Sequence, residues 1–354
     1  MLNKTLNRFA TLTSQAPTTQ PSNKGMVMQY DGANNIWGSG PNDYRNKLIN
    51  GDMKIWQRGT SSVLTTTAAY ASADRWAAFQ TTAAAGTISQ STDVPINFKY
   101  SLRIGRNNAS AANPYQVRQV IESFDCIPLQ NKTCVVSFWA KNGINITGST
   151  NLVVYTGTGT NEGYTTLGSW TGNNIVLNQT LSLNTTWTRY QYTFTVSSNV
   201  NEIGIQFINT PTGTASGTED CFYITGVQLE EGTVASPFEY RQYGVELQLC
   251  QRHLYLVPTG WQYSGMAITT TTGYAAIPFK VSMRIAPTTI SISSQTLSNV
   301  YSAAGVSTAT TAVAFSSATT DSCLISWTVA SGMVAGNATF FTPGTATFFI
   351  SVEL

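Results

Sequence analysis

The sequence predicts an all-β protein: a jelly-roll β-sandwich followed by a smaller β domain, with an extended N-terminal arm. Short alternating or β-branched segments recur along most of the chain, as in Thr188–Val196, where Tyr190, Tyr192, Phe194 and Val196 fall on one face. Turns rich in Gly, Asn and Thr separate these segments. One stretch, Val245–Arg252, has the composition of a helix, with Val245 and Leu249 four residues apart.

Residues 1–46 differ from the rest. They are rich in Asn, Thr, Gln, Pro and Gly and offer few side chains to a core. Gly25–Tyr30 reads as one strand, Asp31–Asn35 as a turn and Ile36–Trp37 as a short return. Such an arm cannot offset its own ordering entropy, so a partner chain or a neighbouring subunit is expected to hold it.

Residues 47–243 carry the larger domain. Its strands are Tyr115–Ile121, Thr133–Ala140, Asn151–Tyr155, Thr188–Val196, Glu202–Phe207 and Cys221–Leu229. Residues 244–354 begin with the helical connector and continue as strands. Tyr274–Val281 contains Pro278 and is read as an edge strand or a bulge. Thr289–Ser293, Cys323–Val329 and Ala346–Val352 are regular strands. Tyr301–Thr320 is rich in Ser, Ala and Thr and nearly free of charge, and the sparing use of charge in this smaller domain suits a surface of which part meets copies of itself. No fixed-period repeat is present, so a parallel β-helix is not expected.

Composition narrows the function. The 354 residues suit about two domains. Hydrophobic residues make up 42%, enough for real cores, and charged residues only 10%, so hydroxyls and amides must cover the surface. The net charge is +2, with no basic stretch interleaved with aromatics, which argues against a nucleic-acid partner. No apolar run approaches the ~20 residues of a membrane span, so no membrane partner is expected. The first residues lack a continuous apolar core, so no secretory signal is expected. The sequons at Asn108, Asn131 and Asn184 are what chance gives in an Asn- and Thr-rich chain. Five cysteines without a Cys-x-x-Cys pair fit buried free thiols in a protein made in a reducing cytoplasm.

Little here supports an enzyme. Any Ser-His-Asp arrangement would need His253, the one histidine, which falls at the end of the predicted helix, where the dipole favours a cation. There is no Gly-rich phosphate loop and no His/Cys cluster. Two distant carboxylates could still meet in space, but acids number only 17. No cofactor is expected, with one candidate exception. Glu230 and Glu231 end a strand beside Gly232, where sandwich modules can hold a calcium; the alternative is that they solvate the strand end or pair with Arg58, Arg75 or Arg241. Exposed aromatics could bind sugars by stacking on their C–H faces. The candidates are Tyr155, Tyr164, Trp170, Trp261 and Tyr263.

Three segments carry a family resemblance. The first is Asn46–Ser61, reading NKLINGDMKIWQRGTS; the second is Ala73-Asp74-Arg75-Trp76. The third runs from Thr225-Gly226-Val227-Gln228-Leu229-Glu230-Glu231-Gly232 through Ser236-Pro237-Phe238-Glu239-Tyr240-Arg241 to Cys250-Gln251-Arg252. In order and spacing they resemble the sandwich module of phage tail-fibre and related virion structural proteins. The resemblance implies a jelly roll similar to carbohydrate-binding modules, set in a homotrimer behind a docking arm (residues 1–46) that meets other virion proteins, and ahead of a variable tip. It implies location in the virion, on the tail fibre or the capsid surface, after synthesis in the host cytoplasm. Asp52 and Asp74 are expected beside turns as acceptors of backbone N–H groups, Trp56 and Trp76 on the apolar face of the sandwich, and Arg75 within the same motif. His253 departs from the family pattern, in which tyrosines follow the Cys-Gln-Arg segment. Three functions stay open: a fibre or adhesin that attaches to host-surface glycan, a capsid decoration or head-fibre protein, and a polysaccharide depolymerase.

Overall fold

A computed structural model describes residues 27–30, 35–38, 44–70, 72–81, 86–106, 112–214, 217–293, 298–302, 307–345 and 347–354. The chain divides into two compact units. One comprises Met1–Lys54 and Gly59–Tyr240, the other Ile55–Arg58 and Arg241–Leu354. Of the N-terminal arm, the described part is an antiparallel hairpin of β1 (Val27–Tyr30) and β2 (Asn35–Gly38), with Val27 opposite Gly38. The remainder of the arm lies outside the described residues, and with it the expected docking contacts.

The first unit is a jelly-roll sandwich. Its strands are β3 (Ser61–Val63), β4 (Ala77–Gln80), β5 (Gly86–Ser91), β6 (Ser101–Arg106), β7 (Tyr115–Ile121), β8 (Thr133–Asn142), β9 (Ser149–Gly157), β10 (Asn174–Leu181), β11 (Thr188–Thr195), β12 (Glu202–Thr210) and β13 (Cys221–Glu231). One sheet has the order β11-β8-β13-β6-β5-β3, the other β10-β9-β12-β7-β4. Alternation decides which face meets which. Phe207 of β12 packs edge-on to Phe138 of β8 at 4.8 Å, and Tyr115 of β7 stacks on Phe222 of β13 at 5.9 Å. In β12 these inward positions continue with Ile203 and Ile205, and in β9 with Leu152 and Val154, all fully buried. Strand β11 shows the same logic: Phe194 is buried, Tyr190 and Tyr192 are half-buried, and their odd-numbered neighbours face solvent.

The parts of the three sequence segments that lie in this unit are joined by hydrogen bonds. Asn46 Nδ2 donates to Val227 O at 3.0 Å, and its Oδ1 accepts from Leu48 N and Leu229 N. Asn50 Nδ2 donates to Asp74 O and Trp76 Nε1 to Asn50 O, each at 3.0 Å. The Arg75 guanidinium donates to Val120 O at 2.9 Å, and Trp76 is fully buried. Asp52 pairs with Lys54 at 3.0 Å. The backbone N–H of Asn46 is met by Glu239 at 2.8 Å, while Glu239 N donates to Gln228 Oε1. Strand β13 shifts register between Thr225 and Gln228, where Gly226 has φ +61° and an added Cβ would lie 2.6 Å from Phe98. Both features call for glycine.

The second unit contains a closed six-stranded barrel. Its strands are β15 (Tyr263–Ala267), β16 (Thr272–Pro278), β18 (Asn299–Ser302), β19 (Ser307–Ala318), β20 (Ser322–Val329) and β21 (Ala338–Thr342), in the order β15-β16-β20-β19-β18-β21. A three-stranded sheet is made of β14 (Leu254–Val257), β17 (Ile290–Ile292) and β22 (Phe348–Ser351). Trp327, Ile325, Phe341 and Phe348 are buried in one core. The helix spans Tyr243–Gln251, and its buried Glu246 pairs with Arg241 at 3.4 Å. His253 follows it, fully buried rather than at an open helix end, and its carbonyl accepts from Val352 N at 2.8 Å.

Two sequence expectations are corrected in this unit. Ile55–Arg58, read as sandwich, belongs here: Gln57 Nε2 donates to Leu254 O at 3.3 Å, and Arg58 pairs with Glu353 at 3.2 Å. Trp56, half-buried, is therefore not on the apolar face of the sandwich. Strand β16 lies between β15 and β20 and is not an edge strand. Pro278 is its last residue, past the point where β15 stops pairing at Ala275, so its missing N–H breaks no ladder on that side.

All five cysteines are free and buried: Cys126, Cys134 and Cys221 in the sandwich, Cys250 and Cys323 in the second unit. Burial raises the thiols of Cys134, Cys221 and Cys323 to about 12 and that of Cys126 further.

Candidate functional site

The site is built on the outer face of the five-stranded sheet. The same alternation that sends Val117, Phe207 and Leu152 inward turns Gln116, Arg118, Gln206, Ile208, Val153 and Tyr155 outward. Register aligns them in rows across the strands. Arg118 lies beside Gln206, which lies beside Val153; Gln116 lies beside Ile208, which lies beside Asn151. Strand β4 adds Phe79 next to Gln116, and β10 adds Asn178 next to Val153. Five strands at their usual spacing span about 19 Å, the length of a few linked sugar rings.

This face sets polar side chains among aromatic rings. Arg118, Gln116 and Gln206 are each 5% exposed. Their side-chain polar groups, and the Tyr155 hydroxyl, have no hydrogen-bond partner among the described residues. Of these groups Arg118 Nε is withdrawn from solvent, and a buried donor of this kind is normally satisfied, so it is a donor held for something else. Phe79 lies under the Arg118 guanidinium at 4.4 Å. Burial pushes Arg118 down to about 10, with Tyr155, Tyr70 and Tyr164 opposing, which leaves it charged at neutral pH. Asn151 and Asn178 hydrogen-bond one another at 2.9 Å at the far end of the face.

A loop folds over one end of this sheet. Glycines at 204 and 157 let it approach: a Cβ on Gly204 would lie 2.6 Å from Leu167 and 2.9 Å from Trp170. A short 3-10 helix, Tyr164–Ser169, carries Tyr164 onto Tyr70 at 4.4 Å, and its hydroxyl donates to Ala68 O at 3.1 Å. Two carboxyls pin the loop. Glu202, on the outer face of β12 and 0% exposed, accepts from Glu162 N. Glu162 accepts from Thr171 N at 2.8 Å and from Thr171 Oγ1 at 3.2 Å. Burial, with the Glu162 carboxylate opposite, pushes Glu202 up to about 7. A hydrogen bond from Glu202, joined by the two from Thr171, holds Glu162 below the usual carboxylate range.

The sequence candidates separate accordingly. Tyr155 lies on the outer face beside Gly204 and Tyr164 packs on Tyr70, and both act on the Arg118 charge. Trp170 is 3% exposed and donates to Gly163 O at 3.1 Å; it packs the loop and offers no platform. Tyr263 is buried in the second unit's core, because its place in β15 points into the barrel, whereas Trp261 is 64% exposed. Glu230 and Glu231 have separate partners. Glu230 is buried and accepts from Ser236 N, Ser236 Oγ and Gln228 Nε2, while Glu231 points the other way and pairs with Lys132 at 3.0 Å. Nor do these two glutamates pair with Arg58, Arg75 or Arg241. Among the described residues no three His, Cys, Asp or Glu side chains are grouped to hold a metal, and no helix is long and apolar enough to cross a membrane. Sequence reading missed Gln116, Arg118, Gln206 and Phe79. The signal is present in Tyr115–Ile121, where apolar residues alternate with Gln116, Arg118 and other polar ones.

No protein-family model matches the chain, and no curated protein matches it in sequence. Solved structures similar to it include the enzymatically active domain of tailspike protein 4 of bacteriophage CBA120, at 16% identity and a TM-score of 0.36, covering 55% of this chain. The match spans 22% of that tailspike chain. Another is the CBM22-1 xylan-binding domain from Paenibacillus barcinonensis, at 12% identity and a TM-score of 0.30, covering 49% of this chain and 94% of that one. A third is a CBM61 module solved with β-1,4-galactotriose, at 12% identity and a TM-score of 0.32, covering 53% and 99%.

Proposed function

We propose that this chain is a glycan-binding structural protein of a phage virion, a fibre or adhesin whose sandwich attaches to host-surface sugar. The outer face of the five-stranded sheet carries the reading. Amides, a hydroxyl and a guanidinium without partners lie beside Phe79 and Tyr155, and a sugar ring presents both hydroxyls and a C–H face. The role is binding rather than catalysis: on this face the carboxyls Glu162 and Glu202 are engaged with one another under the loop, away from the open rows. The phage assignment is supported by the three sequence segments and the hydrogen bonds that join their parts in the sandwich. A trimer would add avidity to a weak single site.

Glycan-array binding of the full chain tests the site. Tyr155→Ala and Gln206→Ala are each expected to weaken binding about tenfold, the loss of one well-placed contact, with unchanged thermal stability. Unaltered binding by both variants would move the site elsewhere. Gold-labelled antibody against the second unit, applied to intact particles, tests the location. Label on the tail or its fibres is expected; label spread over the head would make this a capsid decoration or head-fibre protein.

A further inference from the structure

The proposal above leaves open what kind of sugar binds. Resting on that reading, we infer that the outer face takes an acidic glycan, one bearing a carboxylate on its sugar rings, and that Arg118 receives the carboxylate. Arg118 sits in the middle strand row with Gln206 on one side and Ala77 on the other. It is 5% exposed, one face is covered by Phe79, and Nε is wholly withdrawn from solvent with no partner. Among the described residues no ion pair involves it, and the groups acting on its charge are three tyrosines and no acid. A charge withdrawn from water with no counterion is costly, and burial of this kind is ordinarily offset by a paired carboxylate. Here the protein supplies none among the described residues, and a ligand carboxylate would.

The geometry suits that ligand further. A guanidinium stacked on a ring keeps its edge free, and that edge is a planar fork matched to a carboxylate's two oxygens. The Gln206 and Gln116 amides and the Tyr155 hydroxyl flank it and can meet ring hydroxyls. Among the described residues, the acid nearest in register is turned away from where the ligand would lie. The acid on this face of β12, Glu202, is four residues from Gln206, engaged with Glu162, and separated from the open rows by Leu167 and Trp170 over Gly204. The chain's net charge is only +2, so attraction to a polyanion would come from this one position and not from a general basic surface.

The test uses the full chain on an array of bacterial capsular polysaccharides, each printed in its native acidic form and in a carboxyl-reduced form. Wild type is expected to bind some acidic members at least tenfold more tightly than their reduced counterparts. Arg118→Gln is expected to erase that preference, and Arg118→Lys to keep part of it, because a point charge remains while the fork is lost. Circular dichroism and melting of each variant establish that it is folded, and the preference ratio of Arg118→Lys stands alone if the glutamine variant is not. Equal binding of native and reduced forms by wild type, or an undiminished preference in Arg118→Gln, overturns the acidic class while the glycan reading survives. Binding to no polysaccharide in either form overturns the glycan reading itself.

Discussion

Replacing Asp220 by Ala should destabilise the sandwich by about 3–5 kcal/mol, the cost of leaving a buried charge without its partner. Asp220 and Arg106 form an ion pair in which both side chains are 0% exposed. The pair is embedded in further bonds: Arg106 donates to Gly213 O at 2.9 Å and to Thr147 Oγ1 at 2.8 Å, and Asp220 also accepts from Thr147. Those neighbours are neutral and cannot balance the guanidinium once the carboxylate is gone. The pair itself contributes much less than its rupture costs, because both ions were removed from water to form it. A double variant, Arg106→Met with Asp220→Leu, should therefore recover most of the loss. Urea denaturation followed by tryptophan fluorescence reads both values. A single-variant loss under 1 kcal/mol would mean that water reaches the pair.

A second large effect should appear as a change in how stability depends on pH. Glu202 has its carboxyl raised to about 7 in the folded protein, against an ordinary value of 4.5. A raised carboxyl stabilises the folded state fully below pH 4.5, and that contribution is lost as pH climbs through 7. Glu162 is shifted the other way, so its contribution is present above its ordinary value and falls away in acid. Glu202→Gln removes the titration while its amide still donates to Glu162 and its carbonyl still accepts from Glu162 N. The variant should match wild type near pH 5 and exceed it at pH 8 by on the order of 2 kcal/mol. This is less than the full shift would give, since Glu162 is only half-buried and solvent screens the pair. Melting curves from pH 4 to 9 decide it; parallel curves for the two proteins would show that Glu202 does not hold the proton. Because the pair anchors the loop bearing Tyr164, glycan binding by wild type should weaken over the same interval.

How legible this was in the sequence depended on side-chain contrast. Thr188–Val196 was read correctly because large aromatics alternate there with polar residues. The helix was placed within two residues at its start and one at its end by its composition. Strand β19 was missed, although it is twelve residues long, because Ser, Thr and Ala differ too little in hydropathy to show a period and few of its side chains are buried. Within the site, Tyr155 and Tyr164 were found as aromatics in a turn-rich region, but Trp170 looked the same and is interior. Only the loop's closure over Gly204 separates them, and closure is a three-dimensional fact. Arg118 was missed because its significance lies in what does not accompany it. A missing counter-charge can be seen only once every neighbour is known. The pairing of Glu162 with Glu202 spans 40 residues and two strands, and no local pattern signals it.

The cysteines carry a practical consequence. With three thiols held near 12 and one pushed beyond that, almost none of the nucleophilic thiolate exists at neutral pH, and the sulfurs are shut away from reagents as well. Alkylation by iodoacetamide must then wait for the surrounding strands to part. Since Cys126, Cys134 and Cys221 lie in one unit and Cys250 and Cys323 in the other, mass spectrometry of the labelled peptides times the opening of each half separately. The native chain thus comes with its own clocks for local unfolding, and no probe need be engineered into it.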